Sequence, residues 1–355
     1  MEGAMTKLTP EFMEAYRKEE QKRVRASIYR RFHDQSENVM VGNVIIVHGY
    51  RGNVRAAHFK ELSNMFDDAD FNVASFDLPH FGKSKPLRPE LEGQIVWFGA
   101  LVRSLKSMLF AILESRSKSH VPVILVGYSI GALVILRLLQ TYPYLQKYVA
   151  GVVLVATPLR VDHNARKELL RWKKVVKPLF KLLVRVHPNM PVDDYVPDEF
   201  SKDDLHHFKG AMSAWTANQI LVASETARSK SKLKRITIPV LFVHGEDDAT
   251  APLDAMEGAY GELGTLREDK EKIVYPHVDH LVLQKHRHAI EDIVKWGKIR
   301  VRLAPTPPRI HSTPLKAEEH LEELVHIFLD AGRRLIRLTW NIVRDVFTAV
   351  FTRKP

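Results

Sequence analysis

The sequence predicts an α/β fold: a mostly parallel central sheet with helices on both faces, a helical insertion, and an amphipathic helix at the C-terminal end. Three observations carry this. Short runs rich in branched apolar residues recur along the chain and alternate with helical patterns, which is the signature of a parallel sheet covered on both sides. Residues 157–238 interrupt that alternation with no clear strand and are too long for a simple connection, so they read as a helical insertion between two core strands. Beyond a proline-rich stretch at 304–314, helical periodicity returns over 318–351.

The elements follow in order. Residues 1–42 form a charged N-terminal extension, with a short helix expected over 10–25 and a strand over 25–32. The first strong strand is 43–47, Asn-Val-Ile-Ile-Val, ending in the turn His48-Gly49-Tyr50-Arg51-Gly52. A helix is expected over 56–67, a strand over 72–76, a Pro/Gly-rich loop over 77–89 and a helix over 91–116. Residues 121–126 are the third buried strand, 130–140 an apolar helix and 149–155 the fourth strand, which completes a first core segment at 43–156. After the insertion, 239–302 completes the core with strands at 240–243 and 272–275 and a helix at 286–298. Residues 303–355 are a linker and the C-terminal helix.

Composition narrows the function. Hydrophobic residues at 45% and charged residues at 27% suit a globular protein with a sizeable core. Cysteine is absent, which removes disulfide and thiolate chemistry and agrees with a reducing compartment. A net charge of +11 favours anionic partners such as an acidic lipid surface. Nucleic acid is not expected, because no zinc spacing or helix-turn-helix pattern accompanies the charge. The first residues lack the apolar run and small-residue cleavage site of a secretory signal, and no long uncharged apolar stretch suggests a spanning helix. A cytoplasmic location with peripheral membrane contact is the expectation.

The chemistry concentrates at Gly127-Tyr128-Ser129-Ile130-Gly131, which directly follows one strand and precedes a helix. This is a G-x-S-x-G pattern in the strand–turn–helix setting it requires. A tight, strained turn lifts the serine hydroxyl above the sheet edge, and the flanking glycines are small because side chains there would meet neighbouring backbone. Ser129 is therefore the expected nucleophile, and the Ile130 N–H, at a helix N-terminus, is an expected oxyanion donor. The acid is sought after strand 240–243, in His244-Gly245-Glu246-Asp247-Asp248, with Asp248 preferred and Asp247 the alternative. The base is sought after strand 272–275, where His280 is preferred over His277. The second oxyanion donor is the Tyr50 N–H, in the loop after the first strong strand. His48 reads as a support for that loop. No cofactor or metal is needed.

These segments resemble the α/β-hydrolase superfamily, and within it the monoacylglycerol lipase-like serine hydrolases. His48–Asn53 is similar to the oxyanion loop of that family, Phe76–Ser84 to its D-x-x-G-H-G-x-S segment, Gly127–Gly131 to its nucleophile elbow, and Val240–Pro252 with Tyr275–Leu283 to its acid and histidine loops. The resemblance implies an α/β-hydrolase fold and a triad of Ser129, Asp248 and His280. It spans roughly residues 43–298. Tyr128 and Ile130 stand where the family usually has His and Met, and Tyr50-Arg51 where smaller residues are common.

In that fold the insertion forms a cap over the active site. Its first part, residues 166–185, places Leu169, Trp172, Val176, Leu179 and Leu183 at helical spacing among eight cations and the single acid Glu168, with Pro178 expected to kink it. A basic amphipathic helix of this kind suits an anionic membrane interface, as does the arginine-interrupted apolar stripe of the C-terminal helix. The function expected is serine-dependent hydrolysis of a lipid ester, monoacylglycerol or lysophospholipid. Acyl transfer by the same triad and a non-enzymatic binding protein on the hydrolase fold are the alternatives.

Overall fold

The computed structural model describes residues 28–31, 40–86, 88–115, 121–160, 180, 184, 187–193 and 198–307. The expected helices at 10–25 and 318–351 lie outside the described residues. So does the basic helix at 166–185, apart from Phe180 and Val184, which have helical backbone.

Seven strands form one sheet in the order β1-β3-β2-β4-β5-β6-β7: β1 (Ile28–Arg31), β2 (Gly42–Val47), β3 (Phe71–Phe76), β4 (Val123–Tyr128), β5 (Val149–Val155), β6 (Val240–Gly245) and β7 (Lys270–Tyr275). Only β1 is antiparallel, pairing with β3 from Ile28 opposite Phe76. The six parallel strands bear out the expected sheet. β2 and β4 are buried at every position, as a central parallel strand covered on both faces must be, and this is why they read as unbroken branched runs.

Helices cover both faces. Helix α1 (Ala57–Asp67) packs on β2 and β3; α2 (Phe98–Ser115) packs on α3 (Ile130–Thr141), which lies on β4 and β5. Helix α4 (Ala214–Ala227), capped by the Ser213 hydroxyl accepting from the Thr216 N–H, packs on α3. The short α5 (Lys230–Leu233) leads to β6, α6 (Leu253–Glu262) links β6 to β7, and α7 (Val282–Lys285) precedes α8 (Arg287–Leu303). Helix α8 buries Ile290, Ile293, Trp296 and Val301 against α1 and β5. The insertion is helical through α4 and α5, and its segment before α4 adds one isolated bridge, Pro191 with Ser213. Among the described residues no helix is long and apolar enough to cross a membrane.

Three expectations need correction. The helix expected from 91 starts only at Phe98. Gly93 turns the chain with φ 70°, the Ile95 N–H donates to Thr216 Oγ1 of α4 ahead of the helix, and the Phe98 N–H at the helix start donates to Gln219 Oε1. The helix expected to end at 298 continues to Leu303, because Arg300 is drawn against Asp269 and Glu271 at 2.7 and 2.6 Å and Val301 stays buried. Helix α6 had no counterpart in the sequence reading. It carries Gly258 and Gly261 and buries only Met256 and Ala259, too little to show a periodic apolar face.

Candidate active site

The parallel strands end together, and β4, β6 and β7 bring three loops to one edge of the sheet. At the end of β4 the chain turns abruptly. Ser129 has φ 53° and ψ −118°, a conformation that a residue with a side chain rarely adopts and that marks a strained turn. The turn is held by the Ser129 N–H donating to the Val155 carbonyl at 2.8 Å, and by the Ser129 carbonyl accepting from Ala132 and Leu133 as α3 begins. Both flanking glycines are required by close approach. A Cβ on Gly131 would lie 2.2 Å from the Val47 carbonyl oxygen, and one on Gly127 would lie 2.5 Å from the Ala132 nitrogen.

Ser129, His280 and Asp248 stand in one hydrogen-bonded line. His280 Nε2 lies 3.0 Å from Ser129 Oγ, and its Nδ1 lies 2.7 Å from Asp248 Oδ2. A carboxylate only accepts, so Nδ1 carries the proton and Nε2 is left to accept from the serine hydroxyl. The other oxygen of Asp248 accepts from the Thr250 and Ala251 N–H groups at 2.9 and 2.7 Å, which fixes the carboxylate. The Asp248 side chain is 0% exposed.

Asp247 and His277 are placed elsewhere. Asp247 is 61% and His277 91% exposed, and they face one another at 3.9 Å on the surface. His288 sits on α8 beside Glu291, and His286 immediately precedes that helix.

The loop expected to supply the second oxyanion donor follows β2. A Cβ on Gly49 would come 3.2 Å from Ser129 Cβ, so this loop lies directly against the serine. Among the described residues no acceptor engages the backbone N–H of Tyr50 or of Ile130, which leaves both able to bind an oxygen. His48 does support the loop: its Nε2 accepts from the Leu78 N–H at 2.8 Å, so its Nδ1–H donates to the Gly49 carbonyl at 2.7 Å.

Two features escaped the sequence reading. Tyr128, within the elbow, donates its hydroxyl to the His280 carbonyl at 2.9 Å and lays its ring beside the imidazole, centroids 5.6 Å apart. A Tyr128→Phe variant should leave that carbonyl unpartnered and slacken the imidazole. The expected result is a fall in kcat of about tenfold with KM little changed, the order of cost for a misplaced base; steady-state kinetics on the folded variant checks it. The second feature is His244, which packs against Asp248, its Nε2 3.6 Å from Oδ2, and donates from the same nitrogen to the Ala251 carbonyl at 2.6 Å. Both contacts join residues distant in sequence or depend on loop closure, so only the unusual Tyr within the elbow offered a signal.

Burial disfavours the charged form of several described histidines, His207 among them. His48 and His244 are pushed below their ordinary value by desolvation, and His58 falls from 6.5 to about 4 for the same reason. In the unfolded chain these groups take up a proton near pH 6.5, whereas in the folded chain each does so only at a lower pH. The stability that His58 contributes is therefore complete above pH 6.5 and is lost as the pH falls from 6.5 towards 4, by about 1.4 kcal/mol per pH unit, and His48 and His244 act in the same direction. Urea midpoints measured between pH 7.5 and 4.5 should fall accordingly. A flat profile would show these rings protonated in the folded state.

The sequence profile Hydrolase_4, "Serine aminopeptidase, S33", matches residues 39–286. No curated protein matches the chain. Among solved structures it is similar to the monoacylglycerol lipase of Paleococcus ferrophilus, at 20% identity and TM-score 0.59 over 77% of this chain and 99% of that one. It is also similar to a soluble variant of monoglyceride lipase from Saccharomyces cerevisiae in complex with a substrate analog, at 16% identity and TM-score 0.62 over 79% of this chain and 91% of that one. A thermostable carboxyl esterase from Bacillus coagulans in complex with glycerol, at 15% identity and TM-score 0.57, covers 77% of this chain and 93% of its own. At these identities the structures establish a shared α/β-hydrolase fold.

Proposed function

The chain belongs to the Hydrolase_4 family of α/β-fold serine hydrolases, and we propose that it hydrolyses carboxylic esters of lipids, monoacylglycerol or lysophospholipid, with Ser129 as nucleophile. The single observation that carries the reading is the continuous line from buried Asp248 through His280 to Ser129, in an elbow whose backbone is strained at the serine. Ser129 Oγ attacks the ester carbonyl while its proton passes to His280 Nε2. Asp248 stabilises the imidazolium that forms. The N–H groups of Tyr50 and Ile130 bind the oxyanion of the tetrahedral intermediate. Collapse breaks the ester C–O bond, His280 returns the proton to the leaving alcohol, and water then releases the acid from Ser129 by the same steps.

The lipid class is supported by the segment that precedes α4. Met190, Val192, Phe200 and Leu205 all expose apolar side chains there, Leu205 to 91%. Exposed apolar side chains along one segment suit an acyl chain or a lipid surface better than a peptide. The net charge of +11 would add attraction to an anionic membrane, to which peripheral contact is part of this proposal. Two of the similar structures are described as lipases of monoacylglycerol or monoglyceride.

The test is labelling with a fluorophosphonate, with the modified peptide read by mass spectrometry. Turnover of monoacylglycerol, lysophospholipid and an aminoacyl amide is then compared. Adduct on Ser129 and ester turnover above that of the amide support the proposal. A folded protein that takes no label refutes it, and faster turnover of the amide replaces the lipid class with a peptide one.

A further inference from the structure

Arg51 occupies a position in the oxyanion loop that its backbone does not favour. Gly49 to Gly52 form a tight turn closed by the Gly52 N–H donating to the Gly49 carbonyl at 3.2 Å. Arg51 is the third residue of this turn with φ 63°, a left-handed conformation for which glycine or asparagine is the ordinary choice. What a glycine would lack is the side chain. The Arg51 guanidinium, 4% exposed, is bidentate to Asp193 at 3.1 to 3.3 Å and donates to the Gly210 carbonyl at 2.8 Å. Its own carbonyl accepts from the Phe208 N–H at 2.9 Å, and the Phe208 ring lies 5.8 Å from the guanidinium carbon. Two residues on, Asn53 donates to Asp204 at 2.7 Å. Asp193 is held in turn by accepting from the Met212 N–H at 2.7 Å. Every one of these partners lies in the insertion, between 193 and 212.

We infer that Arg51 is a positioning residue for the oxyanion-binding backbone, and that Asp193, Asp204, Phe208 and Gly210 of the insertion hold the Tyr50 N–H in place through Arg51 and Asn53. The inference rests on the reading of Tyr50 as an oxyanion donor. The Tyr50 N–H belongs to the same turn as Arg51, so a turn that relaxes redirects it. Activity then depends on the insertion being docked: a lipid that displaced this segment during entry would also disassemble the oxyanion site until the segment reseated.

Arg51→Gly separates this from a role in folding alone, because glycine relieves the backbone while removing every side-chain tie. Asp204→Asn weakens the second tie independently. Both variants are compared with the wild type for kcat and KM. Inhibition is measured with a substrate-like trifluoromethyl ketone, whose adduct carries an oxyanion, and with an ether analogue that has no carbonyl. The expected result for Arg51→Gly is a kcat lowered about 10- to 100-fold, less than the roughly 100- to 1,000-fold loss when an oxyanion donor is removed outright. The ketone should weaken by the same factor and the ether bind as to wild type, with Asp204→Asn showing a smaller loss of the same pattern. Wild-type kinetics in Arg51→Gly would overturn the inference, as would equal weakening of ketone and ether, which would mean that the segment only shapes the binding cleft. The underlying reading is checked separately by fluorophosphonate labelling of the wild type: if Ser129 takes no label, both the reading and the inference fall, whereas a labelled wild type with an unaffected Arg51→Gly sinks the inference alone.

Discussion

Replacing Ser129 with alanine is expected to lower kcat by about 10⁶-fold, the loss found when a triad nucleophile is removed from a serine hydrolase. The change should leave the fold nearly untouched. Among the described residues Ser129 Oγ engages only His280, whereas the turn is held by backbone bonds to Val155, Ala132 and Leu133 that alanine retains. The left-handed backbone is as costly for alanine as for serine, so the strain is neither relieved nor increased. Steady-state kinetics and a thermal melt on the same preparation check this. A variant that melts like wild type but keeps more than about a hundredth of its kcat would exclude Ser129 as nucleophile, because the alternative roles of the hydroxyl are too small to account for a 10⁶-fold effect.

The second large effect distinguishes adjacent acids. Asp248→Asn should lower kcat by about 10⁴-fold, because an amide can donate towards His280 Nδ1 and so favours the tautomer that cannot accept the serine proton. It also weakens acceptance from the Thr250 and Ala251 N–H groups, so some stability is lost with it. Asp247→Asn should leave kcat within about twofold, as an exposed carboxylate 3.9 Å from an exposed histidine contributes little. A pair of pH–rate profiles completes the test: the profile of Asp247→Asn should superimpose on the wild type. The reverse ranking of the two variants would overturn the assignment of the acid.

The strands and the elbow were legible because their causes are local. A parallel strand buried on both faces is apolar along most of its length, so β2, β4, β5 and β6 announce themselves as branched runs without reference to partners. The turn at Ser129 needs small residues on either side within a few positions, and Gly127 and Gly131 stand where a Cβ would collide with backbone. The antiparallel β1 and the late start of α2 were less legible. At 92–98 the apolar spacing suits a helix, but Thr216 and Gln219, far along the chain, take up the Ile95 and Phe98 N–H groups.

What the sequence by itself determined was the fold class, the family likeness and the short sets from which the nucleophile, acid and base were to be drawn, since each depends on the pattern within one strand and the turn after it. The sequence and the family resemblance already preferred Asp248 to Asp247 and His280 to His277; the tertiary structure supplies the physical reason. Neighbours in one loop share their composition and distance from the strand, and differ only in which way closure turns them: the Asp247 N–H donates to Val278 and its carboxylate faces out, while Asp248 turns inward onto Thr250, Ala251 and His280. Arg51 and Tyr128 follow the same rule. Their partners are Asp193 and the His280 carbonyl, on other elements, and a contact between residues so far apart along the chain is fixed by packing, which leaves no periodicity behind for a reader of the sequence to find.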